Sequence, residues 1–241
     1  SRRLGRSYLF DWADVGLDVV TFGFAVQPWE RVQRRNGFEL FGFYSADEFD
    51  PDGWKNEYPN AAFSRATEHD NAWMARILSR FDPDDITALV TLGDFTKPEH
   101  SAYLAEVLER RLLRILGRYF AKLSPLAEPQ LTAAGQLCLT DLARRRGVWP
   151  DRAFHYTASV HDHTGAAVFG TPGPVRQPQG GGVCVDLPAL PVAPDVARDS
   201  VQRYFTVTID NGISHYPVRI HLYDLGAEGH RVAGLERPSS R

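Results

Sequence analysis

The residues of this chain whose types and spacing could do chemistry are a few histidines, a row of arginines and two cysteines. His161 and His163 flank Asp162. On a strand, residues two apart share a face, so both imidazoles can be offered to one metal ion. Two ligands do not close a tetrahedral site, and His155, His215 and His221 complete it only if the fold gathers them. Both candidates also stand beside Gly165 at an expected strand end, where polar residues are ordinary. Arg110, Arg114 and Arg118 recur every fourth residue on one predicted helix, with Arg111 beside them. Such a row can grip phosphate or an acidic partner. Glu106, four residues before Arg110, supports the plainer reading of a solvated helix face. Arg110, Arg114 and Arg118 therefore stand as a candidate partner-binding surface and nothing more specific.

Other chemistry is thinner. Asp50, Asp52 and Glu57 form an acidic stretch without the full spacing of an EF-hand loop. An N-terminal Ser can act as a nucleophile with its own amine as base, but such enzymes begin on a buried strand and Ser1-Arg2-Arg3 reads as exposed. Cys138 and Cys184 match no metal or redox spacing, and whether they pair depends on the fold. No G-x-S-x-G, glycine-rich phosphate loop, paired-Cys motif or His-Glu-x-x-His motif is present. The expectation is no self-contained catalytic set, no catalytic residue and no cofactor.

These residues need elements to hold them, and the clearest lie between Trp54 and Leu123. Thr67-Glu68-His69-Asp70 has the form of a helix start, with a hydroxyl cap and an acid three residues later. Behind it Trp73, Ile77, Leu78 and Phe81 make an apolar stripe at helical period. Asp82-Pro83-Asp84-Asp85 begins a short helix that Gly93 closes. Thr96-Lys97-Pro98-Glu99 opens the longest helix, which runs to about Leu123. Short capped joints between three such helices predict a bundle. Earlier, Asp11 to Val20 reads as a helix ended near Gly23, with Pro28-Trp29 as a turn. Aromatic residues from Phe38 to Phe63 should pack over the bundle, their acids facing water. A further helix is expected from Leu137 to Arg146, stopped by Gly147.

Beyond Val148-Trp149-Pro150 the pattern changes to two-residue alternation. Strands are expected at Phe154–His161, Val183–Leu187, Tyr204–Asp210, Pro217–Tyr223 and His230–Leu235. The expected fold class is therefore α+β: an N-terminal helical bundle domain over residues 1–147, then a small antiparallel β-sandwich domain over 148–241. A Gly/Pro-rich loop spans 170–182.

Composition narrows the partners. A net charge of −3 argues against a general nucleic-acid binder, which needs a strongly basic face. No run approaches the roughly 20 apolar residues of a membrane helix; Gly16 to Val26 is short and carries Asp18. Neither a signal peptide nor an initiator Met is visible, so the chain is expected to be a processed or trimmed piece of something longer.

The run Phe49-Asp50-Pro51-Asp52-Gly53-Trp54-Lys55-Asn56-Glu57-Tyr58-Pro59-Asn60-Ala61-Ala62-Phe63, followed by Thr67, Asp70, Trp73 and Phe81, resembles a family of uncharacterised, often exported bacterial proteins. Their Trp-Lys-x-x-Tyr-Pro-Asn-x-x-Phe segment precedes a helix of this type. Tyr103-Leu104, Arg110-Arg111 and the ending Val232-Ala233-Gly234-Leu235-Glu236-Arg237 also fit. Members are much longer, and their upstream region resembles atypical protein kinases. None of the kinase motifs is in this chain; Asp94-Phe95-Thr96 lacks the Gly of a metal-binding Asp-Phe-Gly segment. The resemblance implies a periplasmic or envelope location, a C-terminal portion of such a protein, and no catalytic residue. Function is then expected to be a non-catalytic structural or interaction module docking on missing upstream polypeptide or on a larger protein, peripheral to a membrane complex. The alternative is the C-terminal part of a kinase-like phosphotransferase whose nucleotide site lies outside this chain.

Overall fold

The computed structural model describes residues 12–24, 33–53, 60–168, 175–193 and 195–238. Ser1, the Pro28-Trp29 turn, Glu57 and the Trp54 to Pro59 part of the motif lie outside the described residues, as do 169–174 of the expected loop. The chain divides into two compact units, Ser1–Asn71 with Arg80–Ile115, and Ala72–Ser79 with Leu116–Arg241.

The first unit contains helices α1 (Trp12–Val20), α2 (Ala61–Ser64), the start of α3 (Glu68–Leu78), α4 (Pro83–Thr91) and most of α5 (Pro98–Phe120). Local chemistry sets these starts. The Asp85 amide donates to the Asp82 carboxylate at 2.8 Å, and the Asp82 amide donates back to Asp85 at 3.1 Å, a reciprocal capping box with Pro83 following. Thr67 and Asp70 make the same exchange at the start of α3.

The described residues show no helical bundle, and that expectation is corrected. Most helices are short, α2 having 4 residues and α4 having 9. The two aromatic members of the stripe expected on α3 face solvent: Trp73 is 57% exposed and Phe81, just past the helix, 39%. On α3 the buried positions are Ala72, Ala75 and, just past its end, Ser79, at i, i+3 and i+7. The side chains that α3 buries are small, and a reading weighted by large apolar residues picks the opposite face.

The second correction concerns residues 124–147. Instead of one helix from Leu137 to Arg146, the chain forms strands β1 (Leu126–Leu131) and β2 (Gln136–Asp141), then only α6 (Leu142–Arg145). Leu137, Leu139 and Asp141 are buried in alternation, which is a strand pattern. The remaining strands are β3 (Thr157–Asp162), β4 (Gly182–Asp186), β5 (Tyr204–Asp210), β6 (Val218–Asp224) and β7 (His230–Glu236). They build two antiparallel sheets, β1-β2-β4 and β3-β5-β6-β7. The class is α+β, but among the described residues it has a three-stranded and a four-stranded sheet and six mostly short helices rather than a bundle followed by strands from 148.

Both sheets feed one apolar core. Phe205, Val207 and Ile209 on β5 meet Val218, Ile220 and Leu222 on β6, with Leu137, Leu139, Val183 and Val185 from the smaller sheet. Alternation therefore turns the other residues of β5 and β6 outward. That outward face carries Tyr204, Thr206, Thr208, Arg219, His221 and Tyr223.

Candidate functional site

The arginine row lies on α5, and its first two members are engaged within the first unit. Arg110 reaches Asp47 at 3.0 Å and Glu106 at 3.5 Å. Arg114 Nη1 donates to the Asp47 and Phe49 carbonyls, each at 2.8 Å. Arg111 does most: Nε and Nη2 both donate to the Ser45 carbonyl, and its guanidinium lies 4.0 Å from the Tyr44 ring centroid and 4.7 Å from that of Phe49. Tyr103 Oη adds a bond to the Tyr44 carbonyl at 2.9 Å. Together these fasten segment 44–49 along α5. The Ser45 hydroxyl first, and then Arg110, hold the Asp47 carboxyl below its ordinary range. Arg118 lies over the Tyr119 ring at 5.2 Å.

The histidine candidates stay apart from a complete ligand set. His161 is half-buried on β3, opposite Thr206, and bridges to Ala167. His163 is exposed in the turn that follows. Asp162 accepts from the Thr164 amide, the Thr164 hydroxyl and the Ala166 amide, bonds that shape this turn. His155 and His215 are exposed on other segments. Among the described residues no three His, Cys, Asp or Glu side chains gather as a metal site. Asp50 accepts from the Asp52 amide in a local turn.

A constellation that motif reading missed stands on the outward face of the four-stranded sheet. Tyr204 Oη lies 2.5 Å from His221 Nδ1, and His221 Nε2 lies 3.3 Å from Glu236 Oε2. Arg219 reaches the same carboxylate oxygen at 3.3 Å. Burial pushes the Tyr204 phenol up, so it keeps its proton at neutral pH and donates. Nδ1 then accepts, and Nε2 carries the ring proton facing Glu236. The Tyr204 ring stacks on His221 at 5.9 Å and meets Tyr223 edge-on at 5.6 Å. A phenol held up in this way does not give its proton to a carboxylate at neutral pH, so the row ties β5, β6 and β7 together rather than relaying protons. It sits on a sheet surface beside the exposed Arg219 and Glu236, not behind walls that exclude water. The alternation in β5, β6 and β7 marks the face; the contacts follow only from the pairings Tyr204 with Tyr223 and Arg219 with Glu236.

Two buried polar networks serve the fold. The fully buried Asp141 accepts from the Ala143 and Arg144 amides at 2.9 and 3.0 Å, capping α6. Its other oxygen accepts from Tyr156 Oη at 2.9 Å and Asn211 Nδ2 at 3.3 Å, linking β2 to residues bordering the larger sheet. Burial outweighs these bonds and raises the Asp141 carboxyl; burial and the neighbouring Asp141 charge raise the Tyr156 phenol. Arg203, also buried, donates to the carbonyls of Val196, Asp224 and Ala193.

The two cysteines meet. Cys138 on β2 lies directly opposite Cys184 on β4, 4.1 Å between Cα atoms, and they form a disulfide. The Cys184 amide and carbonyl both bond Arg176 on the other side, each at 2.9 Å. Its pairing with Cys138 is thus of the non-hydrogen-bonded kind, which brings side chains closest.

No protein-family model, curated protein or solved structure matches this chain.

Proposed function

We propose that this chain is a non-catalytic interaction module of the bacterial cell envelope, docking on a larger protein. The observation that carries the reading is the apolar surface of the first unit. Val19 and Val20 at the end of α1 are exposed, and Phe22 and Phe24 just after it are 88% and 86% exposed. Side chains of this size, contiguous in sequence and left in water, are the mark of a contact surface. Their partner is an apolar groove on protein, which takes such a helix end by filling pockets with successive aromatic side chains. The bonds of Arg110 and Arg114 to segment 45–49 support a structural use of the row over a substrate surface. The Cys138–Cys184 disulfide supports the envelope, because such bonds persist in oxidising compartments and are rare in reducing ones. No helix among the described residues is long and apolar enough to cross a membrane, in keeping with a peripheral subunit.

The test is site-specific photo-crosslinking in cells from position 22 or 24 of the full chain. The expected result is one protein adduct in the envelope fraction, lost when Val20 and Phe24 are both changed to Ser. Adducts to lipid only, no adduct, or a purified chain that alone hydrolyses or phosphorylates a substrate would overturn the reading.

A further inference from the structure

The outward face of the four-stranded sheet is independent of that docking surface and lies wholly within the second unit. Register lays its side chains out in three rows across the strands. In the first, Ser159, Thr208, Arg219 and Glu236 stand opposite one another from β3 to β7. In the second, His161, Thr206 and His221 do the same, and Gly234 ends the row. Tyr204, Tyr223 and Arg231 make the third. Strands about 4.8 Å apart and rows about 7 Å apart give a patch on the order of 14 Å each way. Much of its hydrogen-bonding capacity is unspent. Arg219 gives one N–H to Glu236 and has others to give. The contacts of Glu236 with Arg219 and His221 both fall on Oε2, so among the described residues Oε1 accepts nothing. Among those residues the hydroxyls of Ser159, Thr206 and Thr208 likewise have no partner. The rings are held in place: Tyr204 stacks on His221 and meets Tyr223 edge-on, and Arg231 lies over Tyr223 at 5.2 Å. Gly234 leaves a notch in the face, since a Cβ there would meet only His221 Cδ2, at 3.9 Å.

We propose that this face binds a neutral oligosaccharide. A sugar ring needs an apolar plane for its C–H groups together with donors and acceptors for its hydroxyls. Tyr204, His221 and Tyr223 supply the plane. Arg219 and Glu236 Oε1 set a donor beside an acceptor, an arrangement that two neighbouring hydroxyls of one ring complete. Because the rings and the ion pair already pack against one another, little side-chain freedom is lost on binding. Charge and shape decide against other ligand classes. Glu236 beside Arg219 repels a phosphate chain, which calls for a continuous basic face. None of the three rows carries an aliphatic side chain, so the face lacks the apolar centre on which a protein interface is built.

The test lays the full chain, fluorescently labelled, on an array of immobilised neutral di- and trisaccharides of glucose, mannose, galactose and N-acetylglucosamine, with heparin as the acidic control. The best-retained sugar is then titrated free in solution by isothermal titration calorimetry. Saturable binding, weakened at least about tenfold by Arg219→Ala and by Gly234→Gln, supports the site. Gly234→Gln fills the notch without removing a contact, so it carries the test where loss of the Arg219–Glu236 pair loosens β7. No retention on any neutral sugar overturns the proposal. So does retention on heparin alone, or sugar binding that either folded variant leaves unchanged. Crosslinking from position 22 or 24 reads the first unit, so each proposal can fail without the other.

Discussion

Replacing Arg76 with Met should stabilise this chain, although it deletes a charged residue from a helix. The magnitude follows from Arg237. Burial first, and then the charge on Arg76, bring the Arg237 guanidinium down from its ordinary range to about 10. That gap corresponds to about 3 kcal/mol of penalty on the charged form in the folded state. Arg76 is the smaller of the two causes, so removing it returns less than half, about 1 kcal/mol. The same change removes a buried donor that has no partner, a further gain that the half-exposed remainder of the side chain keeps modest. Met fills similar space, with a helix propensity close to that of Arg. The expected sum is about 1–2 kcal/mol, or roughly 2–6 °C in Tm for a chain of this size.

Urea unfolding provides the assay, with a higher midpoint and an unchanged slope expected for the variant. The pH dependence supplies the sign. Arg237 is a base with a lowered folded pKa, so its penalty is fully present below about 10 and lifts as pH rises from there toward the ordinary guanidinium range. The advantage of Arg76→Met should therefore shrink as pH rises through about 10. A variant that is less stable than wild type at neutral pH would refute the reasoning, because it would mean that the Arg76 charge is already compensated.

Changing both Cys138 and Cys184 to Ser should cost up to about 4 kcal/mol, the loop-closure value for a separation of 46 residues, read as a drop in the urea midpoint that a reductant reproduces in the wild type. Tyr156→Phe should cost about 1–2 kcal/mol in the same assay, as it takes one donor from a buried carboxylate. Asp141→Asn should destabilise at neutral pH by about 1–3 kcal/mol even though it removes a buried charge: the Asn211 amide oxygen is held by the Ile213 and Ser214 amides, so Asn211 cannot turn to accept from the new side chain. The Asp141 carboxyl is raised by burial, so the stability it contributes is full below 3.8 and falls as pH rises through its folded pKa; Asp141→Asn should flatten that part of the profile of stability against pH.

What the sequence made legible was local. The Asp82-Pro83-Asp85 cap and the strand at Tyr204–Asp210 are written in consecutive residues, and both stand where the pattern puts them. Strand β2 is hidden in the sequence because Leu137 and Leu139 give only a brief alternation before a run of three arginines that suits a helix end. A bundle does not follow from the caps, because capping shows where helices start, not what they pack against. Trp73 and Leu89 satisfy a helical period while facing water; on α3 the buried side belongs to Ala72 and Ala75, and on α4 to Ile86 and Val90.

The constellations were illegible for a different reason: each joins residues on separate elements. Tyr204, His221 and Glu236 come from three strands, and Cys138 and Cys184 from strands whose cysteines are 46 residues apart. Register decides all of them, and register is unforgiving. A slip of one residue between β2 and β4 would set Cys138 against Val183 or Val185, whose side chains point to the apolar core. The same slip would turn a core valine of β4 to the outer face and bring Cys184, itself only 8% exposed, into its place, so the packing of the core favours the pairing that aligns the two sulfurs. The disulfide then locks a register that the core prefers, which is why breaking it should lower stability without moving the strands.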